Sequence, residues 1–180
     1  MRNIKILAII PYEGLRDNML KAAKSYENVS MQVVVGTMEL GLKYAKEAEK
    51  ADYDIIISRG GTAETIEEYI SLPVVHIPVS VFDYVQIIEK AGKTDKPTAI
   101  IGYANVTEDA YHIKAVAKSN IDIFTIMDPK EIIPLLEKLK SDGYQLIVGD
   151  VVTVEYARIL GMTGIMMESG LDSARKSLAE

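Results

Sequence analysis

The residues with the clearest chemical potential are Ser58-Arg59-Gly60-Gly61-Thr62, which follow the run Asp54-Ile55-Ile56-Ile57. A β-branched strand that stops at a serine, turns on two glycines and opens a helix at Thr62 gathers backbone N–H groups at the positive end of that helix. The N–H groups of Gly60 to Ala63 are the expected donors to an anion. Arg59 adds a planar fork that suits a carboxylate or a phosphate. The plainer alternative is that Arg59 pairs with a neighbouring acid and the glycines only make the turn.

Other chemistry-bearing residues fall in loops of the same kind. In an α/β sheet, ligands bind beyond the carboxyl ends of the strands. The loops placed there are residues 11–14, 58–62, 78–80, 102–105, 149–153 and 169–170, and Arg59 is the one cation among them. The candidate ligand-binding set is therefore Tyr12, Ser58, Arg59, Gly60, Gly61, Thr62, Ser80, Tyr103, Asn105, Gly149 and Asp150. Tyr12, Glu13, Asp83 and Asp150 are conceivable acid–base groups, but no motif pairs them.

Several reaction classes lack their residues. No Gly-x-Gly-x-x-Gly follows the first strand, so a dinucleotide cofactor is not expected. There is no Walker A sequence, His-Glu-x-x-His or Gly-x-Ser-x-Gly elbow. Zero cysteines exclude disulfides, thiolate nucleophiles, cysteine-ligated zinc and the two-cysteine amino-acid racemases, and fit a cytoplasmic location. His76 and His112 have no metal spacing, and His76 reads as a hydrogen-bonded core or cleft residue. Glu67-Glu68 reads as a helix-surface pair. No metal or cofactor is expected.

The chain has 180 residues, is 48% hydrophobic and carries a net charge of −6 from 20 basic and 26 acidic residues. That composition supports a folded core. It argues against direct nucleic-acid contact, because no Lys/Arg cluster stands ready to neutralise phosphates. No apolar run approaches the roughly 18 residues of a membrane span. The N-terminal apolar stretch reads as a strand rather than a leader, and no membrane partner is expected.

The elements that position these loops repeat. At an offset of 91 residues, Tyr53 to Ser58 fall on Tyr144 to Gly149, Ile6 to Ile10 on Pro97 to Ile101, Met31 to Val35 on Asp122 to Ile126, and Val74 to Ile77 on Ile165 to Glu168. Tyr12 falls on Tyr103. The pattern implies two similar α/β lobes, each a four-stranded parallel sheet flanked by helices in Rossmann-like fashion, with a ligand cleft between them. Strands are expected at 4–10, 31–35, 55–58 and 74–77, then 98–101, 121–127, 145–148 and 164–167. Thr37 and Thr107 are the expected caps of the helices that follow them, and Asp128-Pro129-Lys130-Glu131 combines cap, N1 proline and an acid at N3.

Ser80-x-x-Asp83 and Ser169-x-x-Asp172 read as capping boxes that open the helices leaving each fourth strand. Residues 92–97 are polar with both helix breakers and mark the lobe boundary. Lobe one is assigned to residues 1–82, a crossover helix and linker to 83–96, and lobe two to 97–169. The terminal helix, 170–180, is expected to return to lobe one on Leu171, Ala174 and Leu178.

Asp54 to Thr62 after an apolar strand, Leu72-Pro73-Val74-Val75 with Val79-Ser80-x-x-Asp83, Gly102-Tyr103, Gly149-Asp150 and Gly161-Met162-Thr163-Gly164-Ile165 through Ser169 stand in a specific order. Together they resemble the N-terminal sensory domain of the propionate-catabolism activator (PrpR) family of sigma-54-dependent transcription regulators. The resemblance covers essentially the whole chain. It implies a two-lobed effector-binding domain that precedes an ATPase module and a helix-turn-helix DNA-binding domain in the full-length protein, so this chain looks like an isolated sensory piece. The propionate regulators of that family sense 2-methylcitrate, a tricarboxylate. Arg59 stands where they carry a smaller residue, a departure that bears on the ligand and not on the fold.

Two functions follow as expectations. The first is a cytoplasmic sensor of a small anionic metabolite that biases downstream ATPase and DNA-binding modules. The second is a free-standing enzyme on a sugar phosphate or keto acid, using Tyr12, Glu13 or Asp150. A gene that continues past Glu180 into an ATPase module favours the first. A homodimer is left open, whereas a purely structural dimerisation module would need an apolar surface stripe, which the polar loops do not supply.

Overall fold

The computed structural model describes residues 2–92, 95–117 and 120–180. In chain order the elements are β1 (Ile4–Ile10), α1 (Gly14–Ala23), β2 (Val29–Val35), α2 (Met38–Lys50), β3 (Ile55–Ser58), α3 (Gly60–Tyr69), β4 (Val74–His76) and α4 (Val81–Gly92). They continue as β5 (Thr98–Gly102), α5 (Ala104–Ala117), β6 (Ile121–Thr125), a 3-10 turn (Pro129–Glu131), α6 (Ile132–Ser141), β7 (Leu146–Gly149), α7 (Val151–Ile159), β8 (Thr163–Met166) and α8 (Leu171–Ser177). The strands form two wholly parallel four-stranded sheets, ordered β2-β1-β3-β4 and β6-β5-β7-β8. Both are α/β sheets flanked by helices, as the alternation of strand and helix patterns requires.

The chain divides into two compact units: Met1–Pro78 with Ser169–Glu180, and Val79–Glu168. In unit one, β1 is apolar from Ile6 to Ile10, where both of its faces are covered, and carries its one charged residue, Lys5, at the exposed start of the strand. Ile6, Ala8 and Ile10 pack with Leu15, Met19 and Ala22 of α1, while Leu7 and Ile9 pack with Ala45 and Ala48 of α2 and Ile66 of α3. Alternate residues of a strand point to opposite faces, so a two-sided cover over Ile6 to Ile10 makes both sets apolar. Leu171, Ala174 and Leu178 of the C-terminal segment join the α1 face of this core.

Unit two is built the same way. Ile100 packs with Tyr84, Ile87 and Ala91 of α4, while Ala99 and Ile101 pack with Ile132, Leu136 and Leu139 of α6 and Ala157 of α7. Those contacts of α4 place it inside unit two. The passage between units therefore falls at Pro78/Val79 rather than in the polar stretch 92–97, of which Lys93 and Thr94 lie outside the described residues.

Strand pairing refines the repeat. Ile6 pairs with Met31 and Ile55, and the matching triple in unit two is Thr98 with Ile121 and Leu146. The offset therefore drifts by one residue either side of 91 from element to element. Sheet register is fixed by burial, whereas crossover loops gain or lose a residue at little cost. One consequence is that Tyr103 is not the counterpart of Tyr12: Ile10 and Gly102 hold equivalent final strand positions. Tyr103 is 7% exposed in the core of unit two, and the Tyr12 hydroxyl bonds Arg59 and Ser169 in unit one.

Several caps differ from expectation. Asp128 and Glu131 form their capping box. The Thr37 side chain makes no cap bond; the Met38 N–H instead donates to Thr62 Oγ1 at 3.0 Å, from a turn in which Met38 has φ of 47°. Thr107 lies inside α5, where its hydroxyl bonds the Tyr103 carbonyl and Thr125 Oγ1. An apolar surface stripe, not expected from the loops, is present on α4: Val81, Phe82 and Val85 are 60%, 68% and 52% exposed.

Candidate functional site

The site grows from the end of β3. Ile56 and Ile57 are buried, and Ser58 carries the strand to its last residue with no exposure. The Ser58 hydroxyl donates to the Ile9 carbonyl at 2.8 Å and its own carbonyl accepts from the Ile77 N–H, so Ser58 ties β3 to its neighbours and offers no free hydroxyl. Arg59 is extended, with φ −147° and ψ 162°, and serves as N-cap of α3 without a side-chain cap bond. Gly60 then takes φ of +55°. That left-handed conformation is available to glycine at no steric penalty, which is why the helix starts at Gly60, two residues earlier than the Thr62 read from the sequence.

Among the described residues, the N–H groups of Gly60, Gly61 and Thr62 form no hydrogen bond, whereas the Ala63 N–H donates to the Arg59 carbonyl at 3.3 Å. The donor set is thus three groups, not the four extending to Ala63. The helix start also carries the partial positive charge of the aligned peptides. The Thr62 hydroxyl accepts the Met38 N–H, which ties this turn to the start of α2. Gly41 makes room for it: a Cβ there would lie 2.5 Å from Thr62 Cγ2.

The Arg59 side chain is 6% exposed. Its Nη1 donates to Ser169 Oγ at 2.7 Å and lies 3.4 Å from Tyr12 Oη. Both partners are neutral, and among the described residues no carboxylate forms an ion pair with it. The plainer alternative for Arg59, pairing with a neighbouring acid, therefore finds no acid here. A buried guanidinium without a counter-ion is costly unless an anion joins it. Tyr12 Oη also accepts the Ser169 N–H at 2.7 Å, and Ser169 Oγ donates to the Pro78 carbonyl at 3.1 Å.

Ser169 does not form the capping box that its Ser-x-x-Asp pattern predicts. The N-cap of α8 is Gly170, without a side-chain bond, and Asp172 lies 3.7 Å from Arg175. Ser80 does form its box, with Asp83 Oδ2 accepting the Ser80 N–H and Ser80 Oγ accepting the Asp83 N–H. Tyr12, Arg59 and the turn at Gly60 to Thr62 thus come together in unit one, along with Ser169, which was absent from the candidate set. The clue available in the sequence is its position in the loop between β8 and α8.

Ser80, Tyr103, Asn105, Gly149 and Asp150 all belong to unit two. Asp150 caps α7, its Oδ1 accepting the Thr153 N–H at 2.8 Å, while Asn105 is exposed in the first turn of α5. The acid–base candidates are committed as well. Glu13 accepts from Arg16 Nε at 2.6 Å, and that hydrogen bond holds its carboxyl below the ordinary carboxylate value. His76 is half-buried with Nε2 3.0 Å from Glu67 Oε2. Among the described residues no group of His, Asp and Glu is arranged to hold a metal, and no helix is long and apolar enough to cross a membrane.

Comparison with known proteins supplies the family. The model of the propionate catabolism activator family (PrpR_N) matches residues 25–180. The crystal structure of an NtrC-family transcriptional regulator from Clostridium acetobutylicum is similar at 26% identity and a TM-score of 0.85, covering 98% of this chain and 94% of that one. The transcription regulator CcpA of Lactococcus lactis is more distant, at 13% identity and a TM-score of 0.49, covering 99% of this chain and 89% of that one. The chain belongs to the propionate catabolism activator family, as a sensory domain of the NtrC-type, sigma-54-dependent class of transcription regulators.

Proposed function

We propose that this sensory domain binds a small anionic metabolite, a carboxylate or phosphate, at the turn formed by Arg59, Gly60, Gly61 and Thr62, and that binding biases ATPase and DNA-binding modules of the full-length cytoplasmic regulator. The observation that carries the reading is Arg59, buried at 6% exposure with only hydroxyl oxygens as partners. An ionised acceptor makes a stronger, shorter bond to guanidinium than a hydroxyl does. The open N–H groups at the start of α3 add donors and a favourable dipole on the same turn.

The test is a thermal-shift and calorimetry panel of di- and tricarboxylates, sugar phosphates and inorganic anions on wild type and Arg59→Ala. Loss of a charge-assisted bond from a buried site costs about 1.5–3 kcal/mol, or roughly ten- to a hundredfold in affinity. A variant that binds as wild type but melts much earlier would make Arg59 a purely structural residue. The enzyme alternative has less support, because Glu13, Asp83 and Asp150 are each engaged in local bonds.

A homodimer through α4 is the second reading, favoured by its exposed Val81, Phe82 and Val85. A two-fold interface pairs a patch with itself, and an apolar strip is its own complement. Phe82→Glu is expected to shift the mass measured by light scattering from dimer to monomer; a wild type that is monomeric throughout removes this reading.

A further inference from the structure

Ser169 stands where the chain re-enters unit one, and Pro78 is where it leaves. The residue is 2% exposed and bonded through three of its atoms. Oγ accepts from Arg59 Nη1 at 2.7 Å and donates to the Pro78 carbonyl at 3.1 Å. The N–H donates to Tyr12 Oη at 2.7 Å, and the carbonyl lies 3.5 Å from Asn18 Nδ2. One serine thus touches the loop after β1, helix α1, the turn after β3 and the end of the β4 segment.

The two Ser-x-x-Asp patterns show what this arrangement displaces. Ser80 spends its hydroxyl on its own helix, accepting the Asp83 N–H. Ser169 leaves α8 without a side-chain cap and gives its hydroxyl to Arg59 and Pro78. A serine placed before a helix ordinarily caps it. Its diversion here is explained by the guanidinium, the one charged group bonded to it among the described residues.

We propose that Ser169 is the positioning residue of Arg59 and that, through it, occupancy of the anion site is linked to the segment leading into α8. This rests on the reading of Arg59 as an anion-binding residue. Ser169 and Tyr12 fix the Nη1 end of the guanidinium, while Nε and Nη2 have no acceptor among the described residues. A planar fork held at one end presents its remaining donors in a fixed direction, the condition for bidentate recognition. The bonds run in series, from Arg59 to the Ser169 hydroxyl to the Pro78 carbonyl, so a pull on the guanidinium alters a bond that joins the two passages of the chain. Linkage is reciprocal: what loosens Ser169 weakens the anion.

The experiment uses this domain with inorganic phosphate and citrate as probes, read by calorimetry and by amide NMR. In wild type, either probe is expected to shift the amide signals of Gly60 to Thr62 and also those of Ser169 to Leu171. Ser169→Ala should bind about tenfold more weakly and lose the response at residues 170–171 while keeping it at Gly60 to Thr62. Ser169→Thr, which keeps the hydroxyl, should restore both. Wild-type shifts confined to Gly60 to Thr62, unchanged affinity in Ser169→Ala, or weak binding in a Ser169→Thr protein that melts like wild type would each overturn the link and leave the anion site standing. A wild type that shows no shift at Gly60 to Thr62 with either probe removes the anion site itself, and the link with it.

Discussion

After β3 the chain turns through Ser58, Arg59, Gly60 and Gly61 into α3; after β7 it turns through Gly149, Asp150, Val151 and Val152 into α7. The backbone solution is shared. The Ile77 N–H bonds the Ser58 carbonyl as the Met167 N–H bonds the Gly149 carbonyl, and the fourth residue of each helix donates to its N-cap carbonyl, Ala63 to Arg59 and Val154 to Asp150. The side chains differ in sign. Asp150 turns its carboxylate onto the Thr153 N–H and neutralises the positive end of its own helix. Arg59, at the same N-cap position, directs its guanidinium to Ser169 and Tyr12 and leaves the N–H groups of α3 without a side-chain cap. The third N–H of the second turn, Thr153, has a carboxylate partner within the chain, whereas its counterpart at the first turn, Thr62, has none among the described residues.

The substitution that most severely breaks this contrast is Arg59→Asp, which gives the first turn the chemistry of the second. It removes the guanidinium and supplies an internal carboxylate that competes for the same N–H groups. Binding of any anion found by the panel is expected to fall by more than about a hundredfold, since both the charge-assisted bond and the open donors are lost. Titration calorimetry measures it, and retention of wild-type affinity would mean the turn is not the site.

Gly60→Ala tests the backbone on which the first turn depends. With φ at +55° and open space around a Cβ, the penalty is conformational rather than steric. A destabilisation of about 1–2 kcal/mol in urea unfolding is expected, with weaker anion binding because the first two donors move. Equal stability would show that the turn tolerates a different conformation. The smallest expected effect comes from the capped turn: Asp150→Ala should cost about 1 kcal/mol of stability through the lost cap and leave anion affinity unchanged. A large loss of affinity there would transfer ligand recognition to the second turn.

Much of this was legible from residue order. Continuous apolar runs such as Ile6 to Ile10 signal strands covered on both faces, and the Ser-Arg-Gly-Gly-Thr turn announced itself by composition. What escaped was set by partners distant in sequence. Ser58 carries a hydroxyl that looks ligand-ready, yet it donates to the Ile9 carbonyl, and the Thr62 hydroxyl accepts from Met38, 24 positions away. Ser169 and Ser80 open the same four-residue pattern, and nothing local reveals that one hydroxyl is taken by Arg59, 110 positions away. The constant repeat offset failed for a similar reason: burial fixes each strand's register, while loops between strands absorb single residues.

The contrast between the turns is tested most directly by a high-resolution crystal structure of the domain grown in phosphate. A phosphate is expected at the N–H groups of Gly60, Gly61 and Thr62 with Arg59 alongside, and none at Val151 to Thr153, where the Asp150 carboxylate already holds the Thr153 N–H. Water alone at Gly60 to Thr62, or a phosphate that displaces Asp150 from α7 while the first turn stays empty, would contradict it.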